Sequence, residues 1–181
     1  MIAAALLEGC WTGLRWALVG VALVLTFGGT YLFRRLSRVI VAHGGPNYDG
    51  FQRAGSAAAV RRALEAWGPA GLAAARKAWT LDLFYPAFYA LLGALLASLA
   101  ATYSHWDWLA TAMAVVSWLS ISAGAVDLLV ENPAVAVGLW GTPTDAVARV
   151  AKLAGLVKRL LIGIVLVSLL GGLLAVLASR R

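Results

Sequence analysis

The stretch "DLFYPAFYALLGALLASLAATYSHWDWLATAMAVVSWLSISAGAVDLLVENP", residues 82–133, decides the fold. It holds two apolar runs, each long enough to cross about 30 Å of hydrocarbon as a helix that rises about 1.5 Å per residue. Only "SHWD", residues 104–107, separates the two runs. A connection this short joins antiparallel neighbours, so the stretch predicts a transmembrane hairpin.

The composition of the whole chain predicts a membrane protein. Of its 181 residues, 62% are hydrophobic and only 13% are charged, and the mean hydropathy is +0.84. Two further apolar runs flank the hairpin, and the runs lack the apolar and polar alternation of a membrane β-barrel. We expect an all-α polytopic membrane protein: one domain, residues 1–181, with four transmembrane helices plus a cytoplasmic-side amphipathic helix. The predicted spans are residues 14–34, 80–103, 106–130 and 158–179, and the amphipathic helix covers residues 56–67.

The basic residues predict the orientation in the membrane. Twelve of the fifteen Lys and Arg residues lie between the first and second spans or between the third and fourth. Because basic residues favour the cytoplasmic side, we expect both long connections in the cytoplasm and both termini outside it, in the inner (plasma) membrane. The same distribution accounts for the net charge of +7 and the pI near 10.2. Since no RNA or DNA motif accompanies it, we expect no nucleic-acid partner.

The first long connection begins with a turn-rich segment. The residues "AHGGPNYDG", 42–50, combine Gly, Pro, Asn and Asp. Each of these residue types favours turns, so the segment predicts an irregular loop. His43, Tyr48 and Asp49 on this loop have side chains that could serve a reaction, but a lone loop histidine beside turn residues is more often exposed polar surface.

An amphipathic helix is predicted after this loop. Ser56 suits the N-cap, and Val60, Leu64 and Trp67 then share one helical face. Gly68-Pro69 is expected to end the helix, and a second helix then continues into the second span. Such a helix lies on the membrane surface with its basic residues toward anionic lipids. The residues expected to contact lipid headgroups are Arg34, Arg35, Arg61 and Arg62.

Two acids end the third span. Asp127 lies about 20 residues along the helix from Trp108, which places it at the inner edge of the hydrocarbon, and Glu131 lies one turn beyond. Both acids continue a stripe of small side chains, and such stripes mark close helix packing. The acids are therefore expected to face the bundle. The stripe comprises Ala110, Ala114, Ser117, Ser120 or Ile121, and Gly124.

Asp82 is expected at the same level, because the hairpin is antiparallel. Pro86 has no N–H for the Asp82 carbonyl, so a backbone oxygen is freed beside the acids. Asn132 adds an amide next to Pro133, where the third helix is expected to end. Helical spacing adds two tyrosines on the Asp82 face. The predicted ligand-binding residues are Asp82, Tyr85, Tyr89, Asp127, Glu131 and Asn132.

Three interpretations of this acidic cluster stay open. In the first it is structural: acids at the hydrocarbon edge cost less than central ones, and Arg34, Arg35 or Arg159 neutralises them. In the second it binds a cation, an amine or a lipid headgroup. In the third it supplies acid/base or metal-holding groups to an enzyme. Since no ordered motif points to a metal, we assign no metal, no cofactor and no catalytic residue.

A resemblance to a group of proteins rests on two short segments. "DLFYPAFY", residues 82–89, and "DLLVEN", residues 127–132, resemble a pattern in small four-helix bacterial membrane proteins. That pattern has a D-x-x-[FY]-x-x-x-[FY] motif early in one span, and Asp, Glu and Asn together at the end of the next. The resemblance covers two of the four spans and implies that Asp82, Asp127, Glu131 and Asn132 belong together. It implies no reaction.

The function predicted from these features is a cytoplasm-facing acidic pocket that binds a small cationic or lipid-headgroup ligand. One alternative is a non-catalytic accessory or scaffold subunit of a larger membrane complex. A second is an intramembrane enzyme acting on a lipid. Membrane lipids are the expected partners, with other membrane subunits or self-association as alternatives. Spans one and four hold no ionisable residue within the hydrocarbon, which disfavours an ion channel or proton pump.

Overall fold

A computed structural model describes the backbone of residues 2–178 and the side chains of residues 13–178. The model is 88% helical, and its described residues form no strand, which confirms the all-α class. The side chain of Cys10 and the residues Arg180 and Arg181 lie outside the described part. The helices are α1 Ile2–Val41, α2 Tyr48–Gln52, α3 Ala57–Asp82, α4 Tyr85–Thr102, α5 Asp107–Val126, a π-helical segment Asp127–Glu131, α6 Asn132–Trp140 and α7 Asp145–Ala178.

Four helical stretches are long and apolar enough to cross a membrane: Gly13–Val41, Ala57–Thr102, Asp107–Trp140 and Asp145–Ala178. Their outer faces carry large apolar side chains, among them Phe27, Trp118 and Val167, which are 68%, 70% and 74% exposed. Such a surface is stable in lipid but not in water. The chain is therefore a multi-pass membrane protein. We call the end of the bundle that carries Arg34, Arg53 and Lys152 the basic end.

The α4–α5 hairpin is the most extensive helix pair in the bundle, as the short connection predicts. Two serines of α5 donate hydrogen bonds across it to backbone carbonyls of α4. The Ser120 hydroxyl donates to the Ala90 carbonyl at 3.0 Å, and the Ser117 hydroxyl donates to the Ala94 carbonyl at 3.4 Å. Serine hydroxyls can bond in this way only where two helices approach closely.

Glycines allow that approach. A Cβ atom added to Gly124 would lie 2.7 Å from the Ala90 Cβ and 3.0 Å from the Pro86 carbonyl oxygen. Gly93 faces Ser120 of α5 and Val165 of α7. Ser117, Ser120 and Gly124 of the predicted stripe therefore lie in the hairpin interface, whereas Ala114 of the same stripe is exposed.

α3 begins where the sequence predicts and breaks where it predicts. The Ser56 hydroxyl accepts a hydrogen bond from the Ala59 amide at 3.2 Å and caps the helix. Gly68 adopts a φ of +57°, which few residues other than glycine tolerate, and Pro69 follows it. The chain therefore bends between two helical parts. The apolar face of the first part, with Val60 and Trp67, is buried against the protein.

The turn-rich segment differs from the prediction of an irregular loop, because part of it is helical. Asn47 caps the short helix α2, and Tyr48 and Phe51 of that helix are each only 3% exposed. Phe51 packs against the Trp67 ring, with ring centroids 4.9 Å apart. Turn residues thus dictate where α2 begins, and two aromatic side chains then fold it onto α3. His43 follows the prediction in being exposed.

The third span also differs from the prediction, because its helix does not end at Pro133. The chain passes through the π-helical segment and continues as α6 to Trp140. The backbone N–H of Asn132 donates to the Asp127 carbonyl, five residues back. Pro133 has no N–H for the usual bond, and a wider π turn accommodates the missing donor without ending the helix.

We predict that the hairpin interface tolerates no added methyl group. Gly124→Ala should lower the free energy of unfolding by about 1–3 kcal/mol, because its nearest neighbours include backbone that cannot move aside. Gly163→Ala is the matched control, since nothing lies within 4 Å of its added Cβ. Thermal unfolding in detergent compares the two variants. Equal midpoints would contradict the close approach of α4 and α5.

Candidate functional site

A buried ion-pair cluster lies where the π-helical segment meets α7. The Lys158 ammonium lies 3.0 Å from Asp127 Oδ1 and 2.6 Å from Glu131 Oε2. The side chains of Asp127 and Glu131 are 1% and 0% exposed, and that of Lys158 is 12% exposed. Both contacts lie at ion-pair distance, so Lys158 offsets the charge of the two acids.

Glu131 reaches Lys158 because a glycine on α7 gives it room. A Cβ atom on Gly155 would lie 2.7 Å from Glu131 Oε1. That oxygen has no hydrogen-bond partner among the described residues. Lys158 and Gly155 lie on one face of α7, so the same helix face supplies both the cation and the space.

Asp127 has a second partner on α4. The Tyr89 hydroxyl donates to Asp127 Oδ2 at 3.0 Å and lies 3.3 Å from the Ala123 carbonyl. Tyr89 therefore links the hairpin to the ion-pair cluster, as the shared helical face of Asp82 and Tyr89 predicts.

Asp82 belongs to the same region but has different partners. It is 4% exposed. Its Oδ2 accepts a hydrogen bond from Gln52 Nε2 at 2.9 Å, and the Tyr48 hydroxyl lies 3.5 Å from the same oxygen. Burial, and next the charge of Asp82, raise the pKa of Tyr48 well above its usual range. The phenol thus keeps its proton and remains a donor to Asp82.

Asn132 connects the two broken helices. Its side-chain Nδ2 donates to the Asp82 carbonyl at 2.7 Å, the oxygen that Pro86 leaves without an N–H. The Asn132 carbonyl in turn accepts from Trp79 Nε1 at 3.0 Å. Asn132 is fully buried. The amide therefore satisfies a backbone oxygen, and its own Oδ1 has no partner among the described residues.

Tyr85 faces α1. Its hydroxyl shares a hydrogen bond of 2.9 Å with Thr30 Oγ1, and its ring packs against Gly29, where an added Cβ would lie 2.7 Å from the ring. The Tyr85 ring also contacts Phe33 and Tyr89 at centroid distances of 5.2 and 5.5 Å. Tyr85 thus lies beside the acids, but within the described residues it forms no hydrogen bond with them.

A cavity of about 930 Å³ joins most of these side chains to the apolar interior of the bundle, but Glu131 and Asn132 do not line it. α1 packs on α3 and α4, whereas α7 packs on α4, α5 and α6, and the cavity lies between α1, α4 and α7. At the basic end its wall is polar and includes Asp82, Asp127 and Lys158. Away from that end its wall is apolar and includes Leu23, Phe27, Leu92, Leu96, Ile162, Val165, Leu166 and Leu169.

The basic residues predicted to contact headgroups separate into two groups. Arg34 lines the cavity, and Arg38, one turn further along α1, lines it as well. Arg35, Arg61 and Arg62 are exposed and do not line it. Arg34 and Arg38 have no salt bridge within the described residues.

Sequence reasoning missed three members of the site. The cation that pairs with the acids is Lys158, whereas the sequence pointed to Arg34, Arg35 or Arg159. Arg159 instead contacts Asp49 Oδ1 at 3.2 Å, and Asp49 also pairs with Arg53. The other missed members are Gln52 and the buried Tyr48. Lys158 lies at helical spacing from Ile162 and Val165, which line the cavity, but the sequence of a helix that is apolar on nearly all sides does not show which face turns toward the bundle.

Comparison with known proteins gave no match: no family model, no curated protein and no solved structure is similar to this chain.

We predict that Lys158 stabilises the bundle. Lys158→Met leaves Asp127 and Glu131 buried without a cation and should lower the free energy of unfolding by about 3–5 kcal/mol. Lys152→Met is the matched control, because Lys152 is an exposed lysine of the same helix. Adding Asp127→Asn and Glu131→Gln to Lys158→Met should restore part of the loss, since the buried charges are then gone. Denaturant titration in mixed micelles measures all four proteins. A Lys158→Met variant as stable as its control would contradict this role.

Proposed function

We propose that this membrane protein binds a membrane lipid, or a lipid-like amphiphile, in the cavity between α1, α4 and α7. The polar headgroup lies against Asp82, Asp127 and Lys158 at the basic end. The apolar chain lies along the inner faces of the three helices. The observation that carries this proposal is the cavity itself, which has charged side chains at one end and mostly apolar side chains, with the hydroxyls of Thr26 and Ser120, along the rest of its length.

The volume and wall of the cavity support an amphipathic ligand. About 930 Å³ falls within the range of roughly 300–1,000 Å³ that is common for small-molecule sites. Phe27 and Leu166 line the cavity and are 68% and 61% exposed, so they lie at its rim on the lipid-facing surface. A lipid can therefore enter from the membrane without crossing water.

A small cation alone fits the cavity less well. Lys158 already occupies the position between Asp127 and Glu131 that a cation would need. A cation that displaced it would leave the ammonium of Lys158 buried without a partner, which is costly. It would also leave the apolar part of the cavity without an occupant.

The orientation that we propose places the basic end on the cytoplasmic side of the plasma membrane. Twelve of the fifteen Lys and Arg residues support it. In this orientation both termini lie outside the cytoplasm, and the headgroup site faces the cytoplasmic leaflet. Arg61 and Arg62, exposed on α3, then contact anionic lipids of that leaflet.

Filling the apolar part of the cavity should remove the bound lipid. Leu92→Trp places an indole in the cavity, so the acyl chain of the lipid loses the apolar surface that it contacts. Native mass spectrometry of protein washed in mild detergent should then show about tenfold less retained lipid than for the wild type. Leu91→Trp is the matched control: Leu91 is the neighbouring residue on α4, is 45% exposed and does not line the cavity. Equal retention by both variants would exclude this cavity as the lipid site.

Single cysteines test the orientation, with Cys10 replaced beforehand. Cysteines at Ala42 and Thr142, both exposed at the basic end, should be protected from an impermeant thiol reagent in intact cells. A cysteine at His105, exposed in the connection between α4 and α5, should react. All three should react after the membrane is permeabilised. Labelling at Ala42 in intact cells would reverse the proposed orientation.

A further inference from the structure

We infer that the cavity selects a zwitterionic phospholipid, with the headgroup ammonium at Asp82 and the phosphate at Arg34 and Arg38. This inference rests on the proposed function and names the class of lipid. It depends on three separate features of the wall: a carboxylate without a cation, a row of aromatic rings, and two guanidinium groups without salt bridges.

Asp82 is the carboxylate without a cation. It is 4% exposed and lines the cavity. Its recorded hydrogen bonds come from Gln52 and Tyr48, both neutral, and both reach Oδ2. Within the described residues Oδ1 has no hydrogen-bond partner and no salt bridge. A buried carboxylate with only neutral partners gains most from a cationic donor supplied by a ligand.

The charges around Asp82 favour the same ligand group. Three buried carboxylates, those of Asp82, Asp127 and Glu131, face one buried ammonium, that of Lys158. When all four are ionised, this buried cluster has an excess of negative charge, whereas the guanidinium groups of Arg34 and Arg38 lie at exposed positions of the wall. Lys158 is already held by two of the acids, so the ligand has to supply the additional cation.

Aromatic rings line the approach to Asp82. Phe33 contacts Tyr48 and Tyr85 at centroid distances of 6.1 and 5.2 Å, and Tyr85 contacts Tyr89 at 5.5 Å. All four rings line the cavity. The faces of aromatic rings attract ammonium groups, whether primary or quaternary. The wall therefore favours a cationic group over a neutral hydroxyl at this position.

The phosphate position lies on α1. Arg34, Ser37 and Arg38 line the cavity at its basic end, and residues four apart lie on one helical face. Neither guanidinium has a salt bridge within the described residues. Guanidinium groups bind phosphate oxygens through paired hydrogen bonds. Both arginines are exposed, whereas Asp82 is buried. The ammonium must therefore lie deeper inside the protein than the phosphate.

The test compares lipids that share their acyl chains. Delipidated full-length protein is incubated with equimolar phosphatidylethanolamine, phosphatidylcholine and phosphatidylglycerol, and native mass spectrometry counts each bound species. The wild type should bind an ammonium lipid about tenfold more than phosphatidylglycerol, the size of one charge-assisted hydrogen bond. Asp82→Asn should abolish this preference. The matched control Glu65→Gln, an exposed acid of α3, should retain it.

The phosphate part has its own variants. Arg34→Gln with Arg38→Gln should weaken all three phospholipids by a similar factor and leave diacylglycerol unaffected. Arg61→Gln with Arg62→Gln removes the same charge from exposed positions outside the cavity. This control should change neither the binding of the phospholipids nor that of diacylglycerol.

The outcomes separate the two proposals. Equal binding of all three lipids by the wild type, or a preference for phosphatidylglycerol, overturns the inferred headgroup selectivity, even if Asp82→Asn does not fold. Neither result contradicts the proposed lipid site. If glycerophosphoethanolamine, which has no acyl chain, stabilises the protein against heat as strongly as phosphatidylethanolamine, the lipid site fails while the headgroup selection holds. No binding of any lipid overturns both.

Discussion

The buried ammonium of Lys158 is the constraint on which the arrangement of the site depends. Two carboxylates with almost no exposure lie within 3.0 Å of it, and neither is stable in that position without a cation. Lys158 thereby fixes the rotation of α7. Residues 4, 7 and 8 positions further along lie on the same helical face. These are Ile162, Val165 and Leu166, all of which line the cavity.

Two prolines explain why the acids lie among broken helices. Pro86 leaves the Asp82 carbonyl free at the start of α4, and Pro133 widens the third helix into a π turn at Asp127–Glu131. Asn132 joins the breaks by donating to the Asp82 carbonyl at 2.7 Å. A freed backbone oxygen and a widened turn are costly in hydrocarbon unless polar side chains satisfy them. Here Asn132 satisfies the Asp82 carbonyl, and Trp79 donates to the Asn132 carbonyl directly after the widened turn.

The hairpin and the convergence of the acids could be predicted from sequence because both follow from local rules. A connection as short as "SHWD" permits only an antiparallel pair, and helical spacing then places Asp82 level with Asp127. The parts that were missed depend on tertiary packing. Lys158 begins an apolar run, and a lysine there is expected to extend toward the membrane surface as readily as toward the bundle. Tyr48 lies among turn residues with no periodicity, so only the packing of Phe51 on Trp67 decides that α2 folds inward.

The contrast between the acids decides which of them a ligand can use. Asp127 and Glu131 share one cation, so a ligand that competes for either must also compensate Lys158. Asp82 has only neutral partners, and Gln52 and Tyr48 both reach the same oxygen. A cationic ligand at Asp82 therefore adds an ion pair without breaking one. A cationic ligand at Asp82 gains the free energy of a whole new ion pair. At the paired acids it gains only the difference in free energy between the new ion pair and the one that it replaces. The internal salt bridge thus leaves Asp82 as the carboxylate that a headgroup can reach at least cost.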